Sequence, residues 1–73
     1  MTAYAEPSWN DLNDEQATRL LDFRAACTRR GVEWKEKLLG LWATGQDANQ
    51  PGGHLLRQIR NQHGPAWLCA LED

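Results

Sequence analysis

Apolar residues recur at helical spacing in one segment, WKEKLLGLWATG, which occupies residues 34–45. At about 100° per residue the large apolar side chains form one stripe, made of Trp34, Leu38, Leu41 and Trp42. Leu39 lies well to the side of that stripe. A helix that is apolar on more than one side is usually central or faces a partner. The segment therefore predicts a central helix that begins at Val32 or Glu33 and ends near Thr44, before a stopping glycine.

Terminal signals predict a helix before this segment. Asn13 suits the N-cap position, and Gln16 three residues later completes a capping box. The helix is expected to run from Asp14 to about Arg30. Gly31 can adopt the left-handed conformation that ends many helices. Its predicted buried face consists of Leu20, Phe23 and Cys27, flanked by Ala17 and Leu21.

A third helix is predicted after a loop. Residues 45–53 are rich in glycine, asparagine and glutamine, which is typical of a loop. Residues 53–62 then show a helical apolar face, and Gly64 and Pro65 end that helix. The last apolar stretch, residues 66–71, fits either a strand with alternating side chains or a helical turn. A short turn or helix is favoured, because a lone strand would have no partner.

These elements predict an all-α fold, a compact three-helix bundle with a short C-terminal capping segment. We expect residues 1–8 to form a flexible N-terminal arm, since Pro7 disfavours helix before it. Residues 9–73 are expected to form a single helical domain.

Composition excludes several classes of protein. The chain has 73 residues, of which 41% are hydrophobic and 25% charged, as in a small globular domain. No apolar run approaches the roughly 20 residues of a membrane span, and the first residues lack the pattern of a secretion signal. Two cysteines, Cys27 and Cys69, are too few for a disulfide framework and are interpreted as buried, reduced thiols. We therefore expect a cytoplasmic protein that does not enter membranes.

Four tryptophans are many for this length. Each buries on the order of 150–250 Å² when it packs inside a domain, so the simplest interpretation is that Trp9, Trp34, Trp42 and Trp67 are core residues. The alternative is that one of them, Trp34 before the others, is an exposed anchor for a partner protein.

No set of residues suggests catalysis. The segment around Gly52 and Gly53 lacks the lysine and the serine or threonine of a phosphate-binding loop. The two histidines and two cysteines are not spaced as a zinc site. We therefore expect no enzyme activity, no metal and no cofactor.

The second half of the chain carries a longer pattern of apolar and polar residues. It consists of Trp34, Leu38, Leu39, Trp42 and Gly45, followed by LLRQIRN at residues 55–61 and GPAWL at residues 64–68. This pattern resembles a group of short, mostly uncharacterised helical proteins carried on bacterial plasmids, integrative elements and phages. The resemblance implies a cytoplasmic accessory protein of a mobile genetic element. It implies no activity, because small regulators and small inhibitors of host factors both occur on such elements.

The leading hypothesis is a non-catalytic binding protein that acts through contacts with another protein, for example as an inhibitor of a host factor. Its predicted contact residues are Trp34, Leu39, Arg57, Arg60 and Asn61. A second copy of the chain is an alternative partner, because acidic ends flank a mildly basic middle.

The alternative hypothesis is a helix-turn-helix-like DNA-binding regulator. It would use the exposed face of the third helix, where Arg57, Arg60 and Asn61 have side chains suited to phosphates and base edges. Two features weigh against it. The loop at residues 45–53 is longer than the 3–4-residue turn of that motif, and the isoelectric point of about 5.6 is far below that of most nucleic-acid binders.

Overall fold

The structure, a computed structural model, describes residues 6–72, and within them it contains helices and no strand. The four α-helices are α1 (Asp14–Arg29), α2 (Trp34–Thr44), α3 (Gly53–Gln62) and α4 (Pro65–Ala70). Two 3-10 turns lie at Trp9–Asp11 and Gln46–Asn49. The predicted all-α class, with three longer helices and a short fourth element near the C-terminus, is confirmed.

The start of α1 has the predicted capping box. The Asn13 side chain accepts a hydrogen bond from the Gln16 backbone N–H at 2.8 Å, and the Gln16 side chain accepts one from the Asn13 N–H at 3.1 Å. Because these bonds involve residues three apart in sequence, the sequence alone could specify this boundary.

The end of α1 is set by a left-handed glycine. Gly31 has a φ of 71°, and its N–H bonds the Thr28 carbonyl oxygen at 3.1 Å while the Val32 N–H bonds that of Cys27 at 2.9 Å. This pair of bonds is a Schellman motif, which satisfies carbonyl groups at the helix end. The helix consequently ends at Arg29, one residue before the predicted end.

The elements pack around α1 and α2. Helix α1 contacts both α2 and α3, the Gln46–Asn49 turn contacts α2 and α3, and α4 contacts α2. The radius of gyration is 12.1 Å, close to the roughly 11 Å expected for a compact chain of this length. The buried core consists of Leu12, Leu20, Phe23, Cys27, Trp34, Leu38, Leu41, Trp42, Leu56, Ile59, Leu68 and Leu71.

Helix α2 is covered on more than one side. Its four stripe residues are all buried, and Leu39 on the side is half-buried against the core. Leu68 and Leu71 from the C-terminal segment and Leu12 after the first 3-10 turn complete the same core. Of the two roles that the sequence allowed for α2, the structure favours a central helix, because the short terminal elements cover its apolar sides.

Two other expectations concern the ends of the chain. The arm predicted at residues 1–8 lies mostly outside the described residues, as does Asp73. Ser8, within that predicted arm, caps the first 3-10 turn by accepting a hydrogen bond from the Asn10 N–H at 3.1 Å. The prediction of two buried thiols is correct for Cys27 and wrong for Cys69, which is exposed on α4.

Candidate functional site

The structure corrects the expected exposure of Trp34. Only 4% of this residue is exposed, and its ring lies 6.0 Å from that of Trp9, in a tilted arrangement. The indole is buried because Trp9, in the first 3-10 turn, packs over the start of α2. Trp34 is thus a core residue, and it offers no exposed anchor to a partner.

Leu39 is also less accessible than predicted. It is half-buried and packs against the hydrophobic core. The sequence places Leu39 beside the main stripe of α2. Residue spacing within α2 does not show which other elements cover this helix.

Arg57 is bound to its own chain. Its Nη2 lies 3.1 Å from Oδ1 of Asp47 and its Nε lies 3.4 Å from Oδ2, while Nη2 also donates to the Gly45 carbonyl oxygen at 3.3 Å. Asp47 is fully buried, whereas the side chain of Arg57 is 41% exposed. This forked pair joins α3 to the turn that follows α2.

The ion pair shifts both groups towards their charged forms. Burial by itself raises the pKa of Asp47, but the hydrogen bond and the positive charge of Arg57 outweigh it and hold that pKa below its usual 3.8. The same hydrogen bond and the negative charge of Asp47 raise the pKa of Arg57. The charge of Arg57 is therefore largely neutralised within the fold.

Arg60 and Asn61 complete the predicted set. Arg60 donates to the Asn61 Oδ1 from Nη2 at 3.3 Å and to the Trp42 carbonyl oxygen from Nη1 at 3.5 Å, and it is half-buried. Asn61 is exposed. The exposed side chains of α3 are His54, Gln58, Asn61 and Gln62, none of which carries a formal charge when histidine is neutral.

A different surface carries the exposed apolar groups. Among residues 6–72, the two large hydrophobic residues that are exposed are Leu21 (47%) and Val32 (41%). Leu21 belongs to a row on the outer face of α1 with spacings of three and four, and Val32 lies just beyond the end of that helix, after Gly31. We name this set of residues the outer stripe. It consists of Thr18, Leu21, Ala25, Thr28 and Val32, all exposed. A shallow depression beside it is lined by Leu21, Ala25 and Thr28.

The sequence-based predictions do not include the outer stripe, because they group Leu21 with the buried face of α1. A usable signal was present, since Leu21 lies about 160° around the helix from Phe23, which is buried. The spacing of three and four between apolar and small residues is also typical of a helix face that packs on another helix.

Charges are separated along the outer face of α1. Asp14 and Glu15 lie in its first turn, and Arg29 lies in its last. All three side chains are exposed, and within the described part of the chain none of them forms an ion pair. The outer stripe is therefore acidic at one end and basic at the other.

Two tryptophans connect the ends of the described chain. Trp67 donates from Nε1 to Oδ2 of Asp11 at 3.0 Å, and Trp9 donates from Nε1 to the Glu72 carbonyl oxygen at 3.0 Å. Trp67 also stacks on His63 at 4.7 Å. The hydrogen bond from Trp67 is the main reason that the pKa of Asp11 lies below its usual value.

Comparisons of the chain with protein-family models, with curated proteins and with solved structures found no match. Within residues 6–72, no group of three or more His, Cys, Asp or Glu side chains could hold a metal ion. In the same range, no helix combines the length and the apolar character needed to cross a membrane.

Proposed function

We propose that the chain is a non-catalytic helical binding protein that acts through protein–protein contacts made by the outer stripe of α1. The observation that carries this proposal is the exposure of Leu21 on the outer face of α1 and of Val32 just beyond its end, while every other large apolar side chain described is buried or half-buried. An exposed apolar row with polar edges is characteristic of an interaction surface.

The proposal includes the setting that the resemblance implies. The chain would serve a bacterial mobile element in the cytoplasm and inhibit a host factor by binding it. We also infer that the three longer helices form a bundle, which is supported by the contacts of α1 with both α2 and α3. In such a bundle the outward face of α1 is available to a partner.

Capture from a bacterial lysate tests this function. Immobilised wild-type protein should retain a partner, and Leu21→Asp should retain at least about tenfold less of it, because a carboxylate would be desolvated at the contact. Ala66→Asp is the matched control, since it places the same group on an exposed position of α4. Equal retention by wild type and Leu21→Asp would exclude the outer stripe as the binding surface.

A DNA-binding regulator is the second candidate. The observation that favours it is the exposure of Gln58, Asn61 and Gln62 on α3, because amides can read base edges. The Oε1 atoms of Gln58 and Gln62, however, each accept a hydrogen bond from Gln16 Nε2 at 3.3 Å, which ties both amides to α1. The contacts of Arg57 with Asp47, and of Arg60 with Asn61, also weaken this candidate, since phosphate binding needs cationic groups that are free to meet the backbone.

Fluorescence anisotropy with mixed-sequence duplex DNA separates the two candidates. The protein-binding proposal expects no binding at high micromolar protein in low salt. Non-specific DNA binders usually reach dissociation constants of roughly 10⁻⁴–10⁻⁶ M, and their binding weakens steeply as salt rises. Binding with that salt dependence would favour the regulator instead.

A further inference from the structure

The geometry points to a second copy of this chain as a partner of the outer stripe, with the two α1 helices packed antiparallel about a two-fold axis. This inference rests on the proposed function, because it uses the same surface, and the weak association expected of the pair leaves that surface free for another partner in dilute solution. A two-fold interface must be complementary to itself, since each copy contributes the same patch. The outer face of α1 meets this condition in its shape and in its charges.

The apolar part of the stripe suits close packing of two helices. Helix α1 has 16 residues and is about 24 Å long, and Leu21 lies near its midpoint. Ala25 is one turn further along the same row. In an antiparallel pair with its axis at the level of Asp22, the two Leu21 side chains lie beside each other, and Ala25 of each copy lies near Thr18 of the other, so the helices can approach closely at both ends of the leucine contact.

The charged edge of the stripe sets the direction of pairing. Glu15, Asp22 and Arg29 are spaced by seven residues, so they lie on one edge of the outer face, two turns apart. An antiparallel pair with its axis at the level of Asp22 places Glu15 of each copy beside Arg29 of the other. A parallel pair about a two-fold axis would instead turn this edge away from its own copy, so Glu15 and Arg29 could not pair across the contact.

The two charged groups are available for this pairing. Glu15 and Arg29 are both exposed, and neither forms an ion pair among residues 6–72. The contact also includes two unfavourable approaches, because Asp22 lies opposite its own copy at the axis, and Arg24, on the other edge of the same depression, lies near its own copy. With one central leucine per copy, the interface is small, so we expect weak association that depends on concentration and is reduced by salt.

Charge reversal tests the inference. Sedimentation velocity of the wild-type protein should show the mass rising from 8.3 kDa towards twice that value as the concentration approaches about 1 mM. Glu15→Arg alone and Arg29→Glu alone should each remain monomeric over that range, because each places like charges together at both ends. An equimolar mixture of the two variants should associate again, since the arginine introduced in one chain then meets the glutamate introduced in the other.

A matched control separates charge pairing from a change in net charge. Glu36→Arg makes the same change at an exposed position in the first turn of α2, so it should associate as the wild type does. Circular dichroism should show equal helix content for all variants, which ensures that a lost dimer is not an unfolded protein.

Two results would overturn the inference. One is a wild-type protein that stays monomeric to about 1 mM at low salt. The other is a mixture of the charge-reversed variants that remains monomeric while the wild type associates. Neither result affects the proposed function, which fails separately if Leu21→Asp retains the lysate partner as well as the wild type does.

Discussion

At the scale of single residues, Trp42 joins two parts of the core. It is 4% exposed, and its Nε1 donates to the Leu56 carbonyl oxygen of α3 at 3.1 Å. The indole ring is buried and its N–H is hydrogen-bonded. The side chain therefore stabilises the fold through its buried apolar area, without the cost of an unpaired buried donor.

Replacing Trp42 with alanine should therefore lower the free energy of unfolding by about 3–5 kcal/mol, through lost burial and the cavity that remains. Chemical denaturation followed by circular dichroism measures this change. Leu21→Ala is the control, since a side chain that is 47% exposed should change stability by less than about 0.5 kcal/mol in the dilute monomer. Similar losses in both variants would contradict the assignment of Trp42 to the core.

At the scale of elements, two glycines in helices have opposite surroundings. A Cβ added at Gly40, in α2, would meet nothing within 4 Å. A Cβ added at Gly53, the first residue of α3, would lie 2.2 Å from the Asp47 carbonyl oxygen and 2.9 Å from that of Ala48. The start of α3 thus touches the backbone of the preceding 3-10 turn, and only glycine allows that approach.

Alanine substitutions at these two glycines should change the free energy of unfolding in opposite directions. Gly40→Ala should raise the free energy of unfolding by about 0.5–1 kcal/mol, because alanine loses less backbone entropy in a helix. Gly53→Ala should lower it by about 1–3 kcal/mol, because the turn must move to avoid the methyl group. Thermal unfolding of both variants checks the pair, and stabilisation by Gly53→Ala would mean that α3 does not pack on the turn as described.

At the scale of the whole molecule, two carboxylates hold separate parts of the chain together. Asp47 binds Arg57, which joins the turn after α2 to α3, and Asp11 accepts from Trp67, which joins the N-terminal turn to α4. Both carboxyl groups have a pKa below the usual 3.8 in the folded protein. Both contacts favour the ionised form, so they depend on pH.

Stability should consequently fall in acid. In the unfolded chain these groups titrate near their usual pKa, so the unfolded state binds more protons than the folded state once the pH falls to about 4. Their contribution is complete above that pH, and it is lost as the pH falls through the lower pKa values of the folded state.

Melting temperatures measured from pH 7 down to pH 2 test this expectation. Asp47→Asn should lower the melting temperature at neutral pH and reduce its further loss in acid. Asp22→Asn removes an exposed carboxylate that takes part in neither contact. Its melting temperature should therefore fall in acid by as much as that of the wild type. If the melting temperature falls by the same amount between pH 7 and pH 2 in Asp47→Asn and in the wild type, this ion pair does not contribute to the stability.

The sequence by itself determined the three longer helices and their ends to within two residues; α2, for example, begins at Trp34, one residue after the later of its two predicted starts. The capping box at Asn13 and the glycine at position 31 act over three to five residues, so the chain needs no distant contact to specify them. The boundaries of α3 followed equally from local signals. The burial of Trp42 could also be predicted, since helical spacing placed it on the main apolar stripe of α2.

Only the tertiary structure decided which faces are covered and which charges are paired. Trp34 is buried because Trp9, 25 positions earlier, packs over it, and Arg57 is neutralised because Asp47 is brought beneath it. Both outcomes depend on how separate elements pack, and the spacing of residues within one helix does not show which other element covers it or which charge faces it.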